Sequence, residues 1–71
     1  MNKKACQKII GKRLRKLRRE HNVSSKQMAN IMQVSLFTYW KFERGRGTIM
    51  VSHVIRVAIF FKKSLDYIVR E

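Results

Sequence analysis

Two serines placed as helix caps, Ser24 and Ser35, most constrain what this chain can fold into. Ser24 is followed three positions later by Gln27, the pattern of a capping box in which each side chain satisfies a free backbone N–H of the other residue. A helix therefore starts there, with Met28, Ala29 and Met32 turned inward, and ends near Gln33. Val34 is apolar and Ser35 caps the next helix, so only a tight turn separates the two. That next helix closes at Gly45, a residue suited to the left-handed position beyond a helix C-terminus. Two short helices joined this way form a helix-turn-helix over residues 24–45.

Upstream, Ile10, Leu14 and Leu17 recur at i, i+4 and i+7, with Cys6 and His21 extending the stripe, which predicts an amphipathic helix from about Lys4 to Glu20. Lys8, Lys12, Arg15, Lys16 and Arg19 cover its outer side and read as a solvated face without specific contacts. Gly11 inside this helix costs about 1 kcal/mol relative to Ala, and close approach of another helix is the usual compensation. Downstream, Val51, Val54, Val57, Ala58 and Phe61 form another helical stripe, and Ser64 caps a last short helix with Leu65, Ile68 and Val69 facing inward. The expectation is an all-α, compact five-helix bundle forming one domain over residues 1–71.

Charge narrows the function. Seventeen Lys and Arg against four acids give a net charge of +13, far above the ~2–8 that solubility needs. Such a surplus implies a polyanionic partner, nucleic acid or an anionic membrane surface. Short capped helices favour a packed globule over a long interfacial helix, and the longest apolar run, VAIFF, is far too short to span a bilayer. The start MNKKAC reads as neither a signal peptide nor a lipid-attachment segment. A single cysteine, Cys6, makes no internal disulfide, which favours a reducing cytoplasm. Two separated histidines, one cysteine and four acids offer neither metal spacing nor a nucleophile–base pair, so no enzyme, metal site or cofactor is expected. His21 and His53 read as boundary residues.

The stretches IGKRLRKLRREHNVS, MANIMQVS, TYWKFERG and VAIFFKKSLDYIV, in unbroken register from Ile10 to Val69, resemble the Cro and phage-repressor (XRE-type) helix-turn-helix class. The resemblance implies a lambda-repressor-like fold and a small transcriptional regulator, a repressor, that reads double-stranded DNA with its third helix in the major groove. It also implies a homodimer with recognition helices about 34 Å apart. The chain departs from the class at Gln33 and Lys62, where glycine is usual, at Ile49, where proline is frequent, and at Ser25, usually glutamine. A left-handed Gln33 would cost roughly 1–2 kcal/mol.

The largest departure is the front of the third helix, SLFTYWKFERG. With Leu36 at zero and 100° per residue, Thr38, Tyr39 and Phe42 fall between about 200° and 300° and make the core face. Leu36, Phe37, Trp40, Lys41 and Arg44 fall between about 0° and 140°, on the side the class presents to DNA. Leu36, Phe37, Trp40 and Lys41 are thus the candidate base-reading residues. Apolar side chains can meet thymine methyl groups and Lys41 can donate to guanine, but few bidentate contacts are available, so modest sequence specificity is expected.

For backbone contacts the resemblance implies Ser25, Lys26, Ser35, Arg44, Arg46 and Thr48, consistent with the free N–H groups at helix N-termini. It also pairs Glu43 with Arg18, a structural ion pair that orients the third helix and presents Arg18 to a phosphate. Only two residues follow Val69, so a dimer would use the bundle itself; Ile49, Met50, Ile55, Ile59 and Phe60 form a candidate self-complementary patch, with a wider core as the other reading. A competing function is a protein-interaction module, antitoxin-like or a regulatory partner, that uses the apolar front of the third helix.

Overall fold

Local signals at the helix ends set the architecture. The computed structural model describes the backbone of residues 3–70 and the side chains of residues 6–70. Five helices follow in order: α1 (Lys3–Glu20), α2 (Ser25–Met32), α3 (Leu36–Glu43), α4 (Val51–Phe61) and α5 (Leu65–Val69), with no strand among the described residues. The reading of MNKKAC concerns in part Met1 and Asn2, which lie outside the described residues.

Serines start three of the helices. At α2 the capping box is complete: Gln27 N–H donates to Ser24 Oγ at 3.0 Å and Ser24 N–H donates to Gln27 Oε1 at 2.8 Å. Thr38 N–H donates to Ser35 Oγ at 3.1 Å and Tyr67 N–H to Ser64 Oγ at 3.0 Å. At α4 the cap residue is Met50, whose own N–H donates to Nδ1 of His53 at 3.1 Å.

Four helices stop in one way, with a residue at positive φ after the last turn: Asn22, Gln33, Gly45 and Lys62. In each case two N–H groups turn back to carbonyls the helix would leave bare, the pairing of a Schellman motif. Val34 N–H donates to Ala29 O at 2.9 Å and Gln33 N–H to Asn30 O at 3.1 Å; after α3, Arg46 N–H donates to Lys41 O at 2.8 Å and Gly45 N–H to Phe42 O at 3.0 Å. Gln33 therefore takes the glycine conformation, φ 59° and ψ 47°, and the turn between α2 and α3 keeps its geometry.

The core gathers residues from all five helices: Leu14 and Leu17; Met28, Ala29 and Met32; Tyr39 and Phe42; Val54, Val57, Ala58 and Phe61; and Ile68. Ile10, Val23, Ile31, Val34, Ile49 and Tyr67 pack around it half-buried. At roughly 1.5–3 kcal/mol for each large side chain taken out of water, these residues supply most of what holds five short helices together. α3 rests on both α1 and α2, while α4 bridges α2 and α5.

Several expected inward residues lie elsewhere. Val51, Leu65 and Val69 are exposed. Val51 is the first residue of α4 and projects past the edge of the core, and α5, at five residues, offers one fully inward position, taken by Ile68. His21 is the residue after α1 and is exposed; its Nδ1 lies 3.0 Å from Leu17 O and its ring 4.8 Å from that of Phe61. Cys6 is half-buried. Thr38 sits at the core margin, where its Oγ1 accepts from Ser35 Oγ at 2.9 Å and draws it away from the apolar interior.

Candidate nucleic-acid interface

The position of α3 follows from one residue of α1. Gly11 is buried, and a Cβ built on it would lie 2.4 Å from Phe42 O and 2.9 Å from Glu43 O, so the two helix backbones touch where only glycine fits. Two turns along α1 from this contact, Arg18 Nε donates to Glu43 Oε2 at 2.6 Å, with the two side chains only 20% and 12% exposed. A charge-assisted bond in such a setting is short and orients both partners. The hydrogen bond to Glu43 raises the Arg18 pKa further above its ordinary value, so the guanidinium stays charged. Tyr39 Oη is buried near both groups yet within hydrogen-bond geometry of neither. Burial first, and the Glu43 carboxylate second, push its phenol well above the ordinary range.

With α3 held at its back, its front is open. Phe37 is 67% exposed and Trp40 43% exposed, whereas Leu36 and Lys41 are half-buried. Lys41 Nζ stands 5.4 Å from the centre of the Phe37 ring, a cation–π distance that draws the ammonium along the same outer face. Arg44 caps the helix and is exposed, and Arg46 and Thr48 are exposed in the loop that follows.

Two open clefts border this front. One is lined by Arg15, Arg18, Ser25, Trp40, Glu43 and Arg44; the other by Gln7, Lys8, Arg44, Gly45, Arg46 and Gly47. Arg18, Ser25, Trp40 and Arg44, drawn from three helices, thus share one cleft, and Arg46 joins Arg44 in the next. Lys26 is exposed in the first turn of α2 but lies outside both clefts, as does Thr48. Ser35 is exposed, but its hydroxyl is engaged by Thr38, leaving the backbone N–H groups of Leu36 and Phe37 as the free donors there.

Lys8 and Arg15, which read from the sequence as solvated charge without specific contacts, line the clefts beside α3. Gln7, not singled out from the sequence, donates from Nε2 to Gly47 O and ties the loop after α3 to α1. The signal was present: Gly11, Arg15 and Arg18 stand at i, i+4 and i+7, so a helix touching Gly11 must lie beside both arginines.

The proposed dimer patch is also redrawn. Ile49 packs against the core, which removes it from a free surface, while Met50, Ile55, Ile59 and Phe60 are exposed and Val51 joins them. Among the described residues no helix is long and apolar enough to cross a membrane, and no group of three His, Cys, Asp or Glu could hold a metal ion.

Comparison with known proteins agrees with this geometry. The sequence pattern of the helix-turn-helix family matches residues 14–68, which takes in the end of α1, the α2–α3 unit and the helices behind it. No curated protein and no solved structure matches the chain. With most of its length and its five-helix arrangement accounted for, the chain belongs to the Cro and phage-repressor (XRE) type of helix-turn-helix family, whose members are DNA-binding regulatory domains.

Proposed function

We propose that this protein is a cytoplasmic transcriptional regulator that binds double-stranded DNA by inserting α3 into the major groove and represses by occupying its site. The observation that carries the reading is the exposed front of α3, with Phe37 and Trp40 outward and flanked by Arg44, Arg46 and the Arg15–Arg18 edge of α1. Leu36, Phe37 and Trp40 meet thymine methyl groups and Lys41 donates to guanine. Arg18, Ser25, Lys26, Ser35, Arg44, Arg46 and Thr48 grip phosphates on either side, from side chains and from the N–H groups at the starts of α2 and α3. With few side chains able to form bidentate base contacts, affinity is mostly electrostatic and specificity modest.

The protein acts as a two-fold dimer through the outer side of α4, where Ile55, Ile59, Met50 and Phe60 are exposed and Arg56 is the sole charge between Val51 and Phe61. Depletion of charge is what an interface core requires, above all in a molecule of this net charge.

Selection of bound sequences from a random duplex pool at moderate salt tests the reading. A two-fold symmetric motif is the expected outcome, with affinity that falls steeply as salt rises and weakens on Lys41→Ala combined with Arg46→Ala. If no duplex binds even at low salt, while Trp40→Ala abolishes capture of one protein partner, α3 serves protein interaction and the DNA reading fails.

A further inference from the structure

We infer that the outer face of α1 is a second DNA-binding surface, which takes phosphates of a duplex segment other than the one held by α3. The inference rests on the DNA-binding reading of α3 and extends it to a part of the molecule that reading leaves unused.

The charge is unevenly placed. Nine of the seventeen basic residues lie in α1, with Glu20 as its one acid. Only some of them can serve a duplex at α3. Viewed down α1 from Gly11, which touches α3, Arg18, Arg15 and Lys8 lie within about 60°, whereas Arg19, Lys12 and Lys16 lie at about 80°, 100° and 140°. All three of these are exposed. DNA is stiff over about 150 base pairs, so a straight duplex in front of α3 does not curl through that angle to reach Lys16.

Other cations behind α1 are already engaged. Arg13 lies 4.4 Å from the Tyr67 ring centre and donates to Arg70 O at 2.9 Å, Lys63 lies 4.9 Å from the same ring, and Arg70 pairs with Asp66. Lys12, Lys16 and Arg19 make no ion pair among the described residues. They line one cleft together with Arg15 and Glu20.

This arrangement works against the isolated helix. Lys8, Lys12 and Lys16 stack like charges at i, i+4 spacing, as do Arg15 and Arg19, and each such pair disfavours the helix that carries it. A phosphate backbone laid along the face relieves that repulsion and releases its own counterions. An apolar ligand does neither. The chemistry recognised is the regularly spaced phosphodiester of a duplex, either a separate molecule or the flank of the duplex already bound.

The test compares two variants that each lose two positive charges at exposed positions: Lys12→Gln with Lys16→Gln, and, as control, Lys62→Gln with Lys63→Gln. Energy transfer between donor-labelled and acceptor-labelled short duplexes is measured as unmodified protein is added, and hydroxyl-radical footprints are taken on one long duplex. Transfer that falls at least threefold in the α1 variant but not in the control identifies a separate duplex as the ligand. A footprint that shortens in the α1 variant alone, without transfer, identifies the flank. If both readouts are the same in the α1 variant as in the control, the second surface does not exist, although α3 binding stands. If the unmodified protein binds no duplex at low salt, the reading of α3 fails first, and this inference with it.

Discussion

The seam between α1 and α3 and the outer ends of α2 and α4 face similar steric demands with different residues. At the seam the chain uses glycine: Gly11 admits the Phe42 carbonyl, and Gly45, at φ 73°, lies where a Cβ would meet Lys8 Cγ at 2.8 Å and Lys8 Cα at 3.1 Å. At the ends of α2 and α4 the same left-handed turn is made by Gln33 and Lys62, both exposed. The difference lies in the surroundings. A side chain in the left-handed region costs roughly 1–2 kcal/mol, which a stable fold can absorb, whereas a side chain driven into a neighbouring backbone forces the helices apart. The chain therefore keeps glycine where two backbones meet and does without it where the turn faces water. The tight seam is also the one that aims the candidate DNA-binding front.

The largest effect is expected from Gly11→Ala, which breaks the tight side of the comparison. It should destabilise by about 3 kcal/mol, at the upper end for overpacking against backbone, and weaken DNA binding beyond the loss of folded protein, as measured by urea unfolding alongside anisotropy. Retention of both properties would mean that α1 and α3 can separate freely. Next, Glu43→Gln leaves Arg18 charged and half-buried without its carboxylate, for a loss of about 2 kcal/mol that thermal unfolding would register. Because the bond is only partly exposed, high salt should erase little of that difference.

On the tolerant side the sign reverses. Gln33→Gly or Lys62→Gly should stabilise by about 1 kcal/mol, raising Tm by roughly 4–8 °C, because strain is removed where no neighbour depends on the side chain. Gly45→Ala, at the same motif but against Lys8, should do the opposite. The smallest effect at neutral pH concerns Tyr39. Removing its unpaired buried hydroxyl in Tyr39→Phe should leave stability unchanged or raise it by up to about 1 kcal/mol.

The same variant has a pH signature. The Tyr39 phenol is raised above its ordinary value of 10.0 in the fold, so below pH 10 it is neutral in both states and its contribution is intact. Above pH 10 the unfolded chain loses that proton first, and stability is lost as pH rises. Denaturant titrations at pH 9 and pH 11 should show an alkaline decline that is smaller in Tyr39→Phe than in the unmodified protein.

The sequence by itself determined the helices and their caps. The Ser24–Gln27 box, the serines at 35 and 64 and the stripes of α1 and α4 are local patterns, and backbone hydrogen bonding within a few residues decides them. It also determined the charge, and with α3 rotated so that Tyr39 and Phe42 face inward, the outward side of Phe37 and Trp40. What only tertiary structure decided is which faces meet. That Val51, Leu65 and Val69 would stay in water, that Ile49 would pack on the core, and that Arg15 and Lys8 would border α3 depend on where helices end against one another. A helical stripe fixes an angle about its own axis, but not the distance to the next helix; here that distance was set by one glycine and by two carbonyls that no pattern within α1 contains.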